Sequence, residues 1–176
     1  MPLPDWNIAG GFLIVARELI PDGRARPRQA SLRRSISSSY YAVFHALAKA
    51  IADTLVGSSP ASRPNKAWVD VYRGIGHGGT KDACKAAMNV NFPDRLKAFS
   101  DSLVRLQDAR HQADYDPEVR FSKEDALANL AEAENALAAL KAVRPIDRKA
   151  FAAWVLVTSP GAARGRKDRK SRGGRG

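Results

Sequence analysis

ASLRRSISSSYYAVFHALAKAIADTL, residues 30–55, is the stretch whose reading decides the fold. Ile36, Tyr40, Val43, Phe44, Leu47 and Ile51 recur at spacings of three and four, which places them on one face of a long helix. Gly57-Ser58-Ser59-Pro60 follows, and these residues favour a turn over helix continuation. Beside the apolar face, Arg34, Ser38, Tyr41 and His45 fall at i, i+4, i+7 and i+11, so they form a polar seam along the same helix.

The same period extends in both directions. Upstream, Ala9, Phe12, Leu13, Ala16 and Leu19 predict a first helix stopped by Pro21-Asp22-Gly23. Downstream, Ala67 to Arg73 predicts a short helix carrying Trp68, Val71 and Tyr72, broken by Gly74-Ile75-Gly76-His77-Gly78-Gly79. Thr80 is expected to cap a helical piece reaching Met88. Pro93 suits a first turn, and Leu96, Phe99, Leu103 and Leu106 carry a helix to about Ala113, ended by Asp116-Pro117. Ser122 and Asp125 form a variant capping box for a helix with Leu127, Leu130, Leu137 and Leu140, closed by Pro145. A short final helix, Asp147 to Val157, presents Phe151, Trp154 and Val155 for docking on the bundle or a partner. No run alternates at period two, so the expected fold is all-α: an up-and-down bundle of about five main helices over residues 1–157.

Length and composition narrow the classes further. A chain of 176 residues, 44% hydrophobic and 27% charged, fits one folded core and not two. Its longest uncharged apolar stretch, residues 151–157, falls far short of the roughly 20 residues a membrane span needs. The N-terminus lacks the pattern of a secretion signal, and the single Cys84 fits a reducing cytoplasm. With only His45, His77 and His111 beside that cysteine, neither a metal nor a cofactor is expected. The glycine cluster is no nucleotide P-loop: no strand precedes it and no Gly-Lys-Ser/Thr follows.

Charge is more telling. The chain carries 29 basic and 18 acidic residues, net +11. Residues 159–176 hold seven of the basic groups, among them Arg164, Arg166, Lys167, Arg169 and Lys170, against one acid, which leaves +5 for the body. That segment has almost no apolar content and is expected to be a disordered basic tail from residue 158 onward. A nucleic-acid partner suits this distribution better than a membrane surface, because no amphipathic basic helix accompanies the tail; the alternative is a tail that only solubilises the chain.

One position breaks the pattern. The stripe Leu96, Phe99, Leu103, Leu106 continues onto Arg110 and then Ala113, which puts an arginine on an inward face. Asp114, one turn on, is placed to pair with it, either as an internal clamp between helices or at the edge of a cleft where a phosphate competes. If the seam of Arg34, Ser38, Tyr41 and His45 faces it, two arginines, a histidine and a tyrosine share one groove.

The strings Arg34 to Ala46 (RSISSSYYAVFHA) and Arg110 to Pro117 (RHQADYDP) resemble signatures of the HEPN family, especially its small bacterial members. There a Tyr-Tyr-Ala-x-Phe-His-Ala motif lies on a long helix and an Arg-x-x-Ala-Asp-Tyr motif at the end of a later one; the similarity covers about residues 5–143. The resemblance implies a helical bundle, often dimeric, found in toxin–antitoxin, CRISPR-associated and other defence systems. Many members are metal-independent endoribonucleases whose motif is an arginine, a second polar residue, and a histidine four to six residues after the arginine. Arg110 and His111 match the first two positions, but Asp114, Tyr115 and Asp116 stand where the second histidine belongs.

The resemblance therefore implies a cytoplasmic RNA-binding module, with Arg34, Ser38, Tyr41, Asp114, Tyr115 and the tail cations in contact with RNA. A cognate antitoxin or defence-system protein, and a second copy of the chain, are the implied partners. The alternative is an endoribonuclease using Arg110 with His111 or His45, in which a ribose 2′-hydroxyl attacks the adjacent phosphate and DNA resists. Tyr115, with an ordinary pKa near 10, is a poor base for it. A second alternative is a non-catalytic interaction or assembly subunit.

Overall fold

A computed structural model describes residues 7–23 and 26–158, and every element among them is helical. The order is α1 (Ile8–Glu18), α2 (Gln29–Val56), α3 (Asn65–Arg73), α4 (His77–Ala87), α5 (Asp94–Tyr115), α6 (Lys123–Lys141) and α7 (Pro145–Thr158). Four of these form the bundle. Ser35 of α2 donates to the Ala16 carbonyl of α1 at 2.7 Å, while Tyr41 and His45 meet Phe12, so α1 and α2 run antiparallel. Arg33 reaches Ala113 and Tyr41 reaches Arg110, so α2 and α5 are antiparallel as well. The side chains of Ser102 and Arg105 bond Glu132, and Arg95 reaches Ala142, which sets α6 antiparallel to α5.

α2 is the central member because one of its stripes is apolar and its next is built of small residues. Tyr40, Val43, Leu47 and Ile51 are at most 1% exposed and face Leu96, Phe99, Leu103 and Leu106 of α5 in the larger core. Leu32 and Ile36 enter a second core with Ala16, Ile20, Ala113, Phe121 and Leu130. Between the two lies a serine layer. Ser35, Ser37 and Ser39 are fully buried, and their hydroxyls bond the Ala16 carbonyl, the Asp114 carboxylate and the Ser35 carbonyl. Serines take up little volume and carry their own donors, so α1 and α5 approach α2 closely while these three hydroxyls stay paired.

The ends follow local chemistry. Gly57 terminates α2 at φ 119°, a left-handed conformation that a side chain strains to adopt. Ser122 and Asp125 form the reciprocal capping box on α6, at 3.0 and 2.7 Å. Arg33 spans from α2 to the end of α5, donating to the Ala113 carbonyl and to the Val119 carbonyl in the loop beyond. α7 docks on the bundle through Phe151 and Val155, and its Trp154 donates to the Ala83 carbonyl at 2.9 Å.

Two boundaries differ from the sequence expectation. α4 starts at His77, so Gly78 and Gly79 are helical. Thr80 is no cap: its hydroxyl donates back to the Gly76 carbonyl at 2.8 Å, and its own amide bonds that same carbonyl, which makes it a second-turn residue. Pro145 opens α7 while α6 already ends at Lys141, in keeping with proline's tolerance for a first helical turn. The segment from 159, with Arg164, Arg166, Lys167, Arg169 and Lys170, lies outside the described residues.

Cys84 is fully buried on α4, and burial pushes its thiol up to about 12. Thiolate is then negligible near pH 8, so iodoacetamide is expected to leave the folded protein unlabelled and to modify it fully in urea, as mass spectrometry would read. Labelling of the native protein at the rate of a free thiol would contradict the burial.

Candidate functional site

The site is assembled where α1, α2, α4 and α5 converge. α5 brings Arg110 to it, because the apolar stripe below fixes the helix's rotation and the next inward position is this arginine. The side chain is 17% exposed. Its Nη2 donates to the Tyr41 hydroxyl at 2.9 Å. Its Nε lies 2.8 Å from Asp114 Oδ2, yet no hydrogen bond to Nε forms, so this contact is a charge pair out of line with the N–H bond. Asp114 is also held from α2, by the Ser37 hydroxyl at 3.2 Å. The third corner, Nη1, finds no acceptor among the described residues.

Aromatic rings surround the guanidinium. Its Cζ lies 5.5 Å from the ring centres of Tyr41 and Tyr115 and 5.9 Å from that of Tyr40, within cation–π range. Burial works against the charge, but the Tyr41 hydrogen bond and the neighbouring Asp114 outweigh it and raise the arginine's pKa. A permanently cationic group is thus fixed at two corners and open at one.

Two imidazoles stand nearby. His77, at the first position of α4, stacks on Phe44 with centroids 3.9 Å apart, and its Nδ1 shares a hydrogen bond of 2.7 Å with the Tyr40 hydroxyl. The Gln107 side chain donates to its carbonyl at 3.2 Å. His45 is sandwiched between Phe12, at 5.3 Å, and Tyr72, whose hydroxyl meets its Nδ1 at 2.6 Å. Burial lowers the pKa of both histidines, helped by His77 in the case of His45 and by Arg110 in the case of His77. Burial also raises the phenol of Tyr40, which stays protonated.

Folded-state histidine pKa values below the unfolded one mean that the unfolded chain binds more protons on acidification. The stability these rings contribute is complete above the unfolded pKa near 6.5 and is lost as pH falls through the lowered values. Urea midpoints are expected to drop from about pH 7.5 to 5.5, and His45→Gln should flatten that slope. A flat wild-type profile would refute the assignment.

The sequence seam is only half realised here. Tyr41 and His45 do converge on the Arg110 region. Arg34 is exposed two turns earlier on α2 with no partner among the described residues, and Ser38 is buried at 3% exposure without a hydrogen bond to the cluster. His111 is exposed and turned off the Arg110 face, its ring 5.1 Å from that of Tyr115. Tyr115 itself is 63% exposed at the end of α5. The sequence does not single out His77, whose only signal is its place inside the glycine-rich segment 74–79. Which imidazole comes near Arg110 depended on how α4 packs on α5, and periodicity does not encode that.

Among the described residues, no group of three or more His, Cys, Asp or Glu is arranged to hold a metal, and no helix is long and apolar enough to cross a membrane. Comparison with known proteins finds no matching family model, no matching curated protein and no matching solved structure.

Proposed function

We propose that this chain is a HEPN-like RNA-binding module of a bacterial toxin–antitoxin or defence system, in which Arg110 contacts an RNA phosphate. The observation that carries the reading is the guanidinium held by Tyr41 and Asp114 with Nη1 left open. Charge-assisted bonds from a pre-set arginine fork are a strong way to hold a phosphate oxygen. The net charge of +11 supports a polyanionic partner. A cognate protein and a second copy of the chain remain the partners that the HEPN resemblance suggests.

Fluorescence anisotropy with a labelled single-stranded RNA tests it. Affinity should fall steeply with salt and fall again when residues 159–176 are removed, because phosphate contacts release counterions. Salt-independent behaviour of both proteins would reject the reading.

Endoribonuclease activity is the second reading, and what favours it is the pair of imidazoles, His45 and His77, near the arginine, whose pKa values burial lowers. A neutral imidazole is the form that takes a proton from a 2′-hydroxyl. Cleavage of RNA in the presence of a chelator, with the all-DNA analogue left intact, separates this reading from binding alone.

A further inference from the structure

We infer that His77 is the second phosphate-contacting group of the Arg110 site, so that one phosphate is held between Arg110 Nη1 and His77 Nε2. The inference rests on the reading of Arg110 as a phosphate contact and adds the residue that completes it.

Geometry carries the pairing. Tyr41 lies between the two groups: its hydroxyl accepts from Arg110 Nη2 at 2.9 Å, and its ring meets the His77 ring edge-on at 5.9 Å. On either side of this shared tyrosine, each group is fixed at one end and open at the other. His77 is anchored through Nδ1 to Tyr40 and by stacking on Phe44, and its Nε2 has no partner among the described residues. Side chains held by packing and by a hydrogen bond behind them keep their free atoms in place, so little rotamer entropy is lost on binding.

Space and charge agree. His77 itself is half-buried, and the glycines on either side of it, Gly76 and Gly78, are exposed, so the residue sits at the protein surface and not inside the core. The groups facing His77 are Tyr40, Tyr41 and His45 from α2 and Gln107 and Arg110 from α5; on α4 the nearest cation, Lys81, is paired with Asp108. No carboxylate among the described residues bonds the imidazole. An anion is therefore the missing complement, and its arrival favours the imidazolium, which donates from Nε2. Phosphate affinity should accordingly rise as pH falls from about 7.5 to 6.

The experiment reads the histidine side-chain ¹⁵N signals of the full chain during titration with inorganic phosphate, alongside anisotropy with a short oligouridylate. Phosphate is expected to move the His77 signals and raise its apparent pKa, and Arg110→Gln is expected to abolish both responses. His77→Gln should weaken oligouridylate binding about tenfold, the size of one such contact. Because the ring titration uses the wild-type protein, it stays decisive if His77→Gln folds poorly. Salt-sensitive oligouridylate binding with unmoved His77 signals and an unaffected His77→Gln would overturn this inference and leave the RNA-binding reading standing. Wild-type protein that binds neither probe would overturn both.

Discussion

Arg110→Ala is expected to weaken binding of a short single-stranded RNA by about ten- to a hundredfold at fixed salt, with the helical fold retained. A hydrogen bond to a charged group contributes about 1.5–3 kcal/mol, and each 1.4 kcal/mol is a factor of ten. The substitution also leaves Asp114 without its cation, so a carboxylate then faces the incoming phosphate. Both effects weaken binding. Removing one phosphate contact should lower the slope of log affinity against log salt by about one. Arg110→Lys separates charge from geometry: lysine restores a cation but cannot hold Tyr41 and present a second donor from one rigid plane, so its affinity should lie between the two. Arg110→Ala also loses the charged bond to Tyr41, worth about 1.5–3 kcal/mol of stability, which urea melting checks independently. Wild-type affinity in Arg110→Ala with a normal melt would place the phosphate contact elsewhere.

Phe99→Ala is expected to destabilise the protein by about 3–5 kcal/mol, a large share of the 5–15 kcal/mol typical of a domain. Phe99 is fully buried on α5, and its ring meets Phe151 of α7 edge-on with centroids 6.3 Å apart. The void would open between a bundle helix and α7, where neither backbone shifts easily to refill it. Loss of the ring removes apolar burial, dispersion contacts and the edge-to-face pair together. The melting temperature should fall by about 10 °C for a chain of this size. A drop of only a degree or two by calorimetry would show that this core repacks freely. Phe99 lies three turns before Arg110 on the same helix, so the variant also tests whether the site depends on the seating of α5. RNA affinity measured well below the new midpoint should change far less than in Arg110→Ala.

The strings at residues 34–46 and 110–117 each take part in packing and bonding within the bundle. In the first, the serine run forms the close contact with α1 and α5, Tyr40 supports His77, and Tyr41 holds Arg110. In the second, Arg110 and Asp114 pair while Ala113 enters the second core. His111 matched a motif position, but a residue adjacent to Arg110 points about 100° away around a helix, and it sits on the surface with Tyr115.

What the sequence by itself determined was the helical class, the order of the helices and the inward turn of Arg110. Each of these follows from period, caps and breakers within a single segment, and local chemistry is written in consecutive residues. The seating of α7 on the core, the separation of Arg34 and Ser38 from the cluster, and the arrival of His77 beside it were decided by tertiary structure alone. Those depend on the angle and height at which one helix packs on another, set by the summed fit of many side chains distant in sequence. A glycine-flanked histidine and an arginine more than thirty residues later become neighbours only when α4 and α5 pack together.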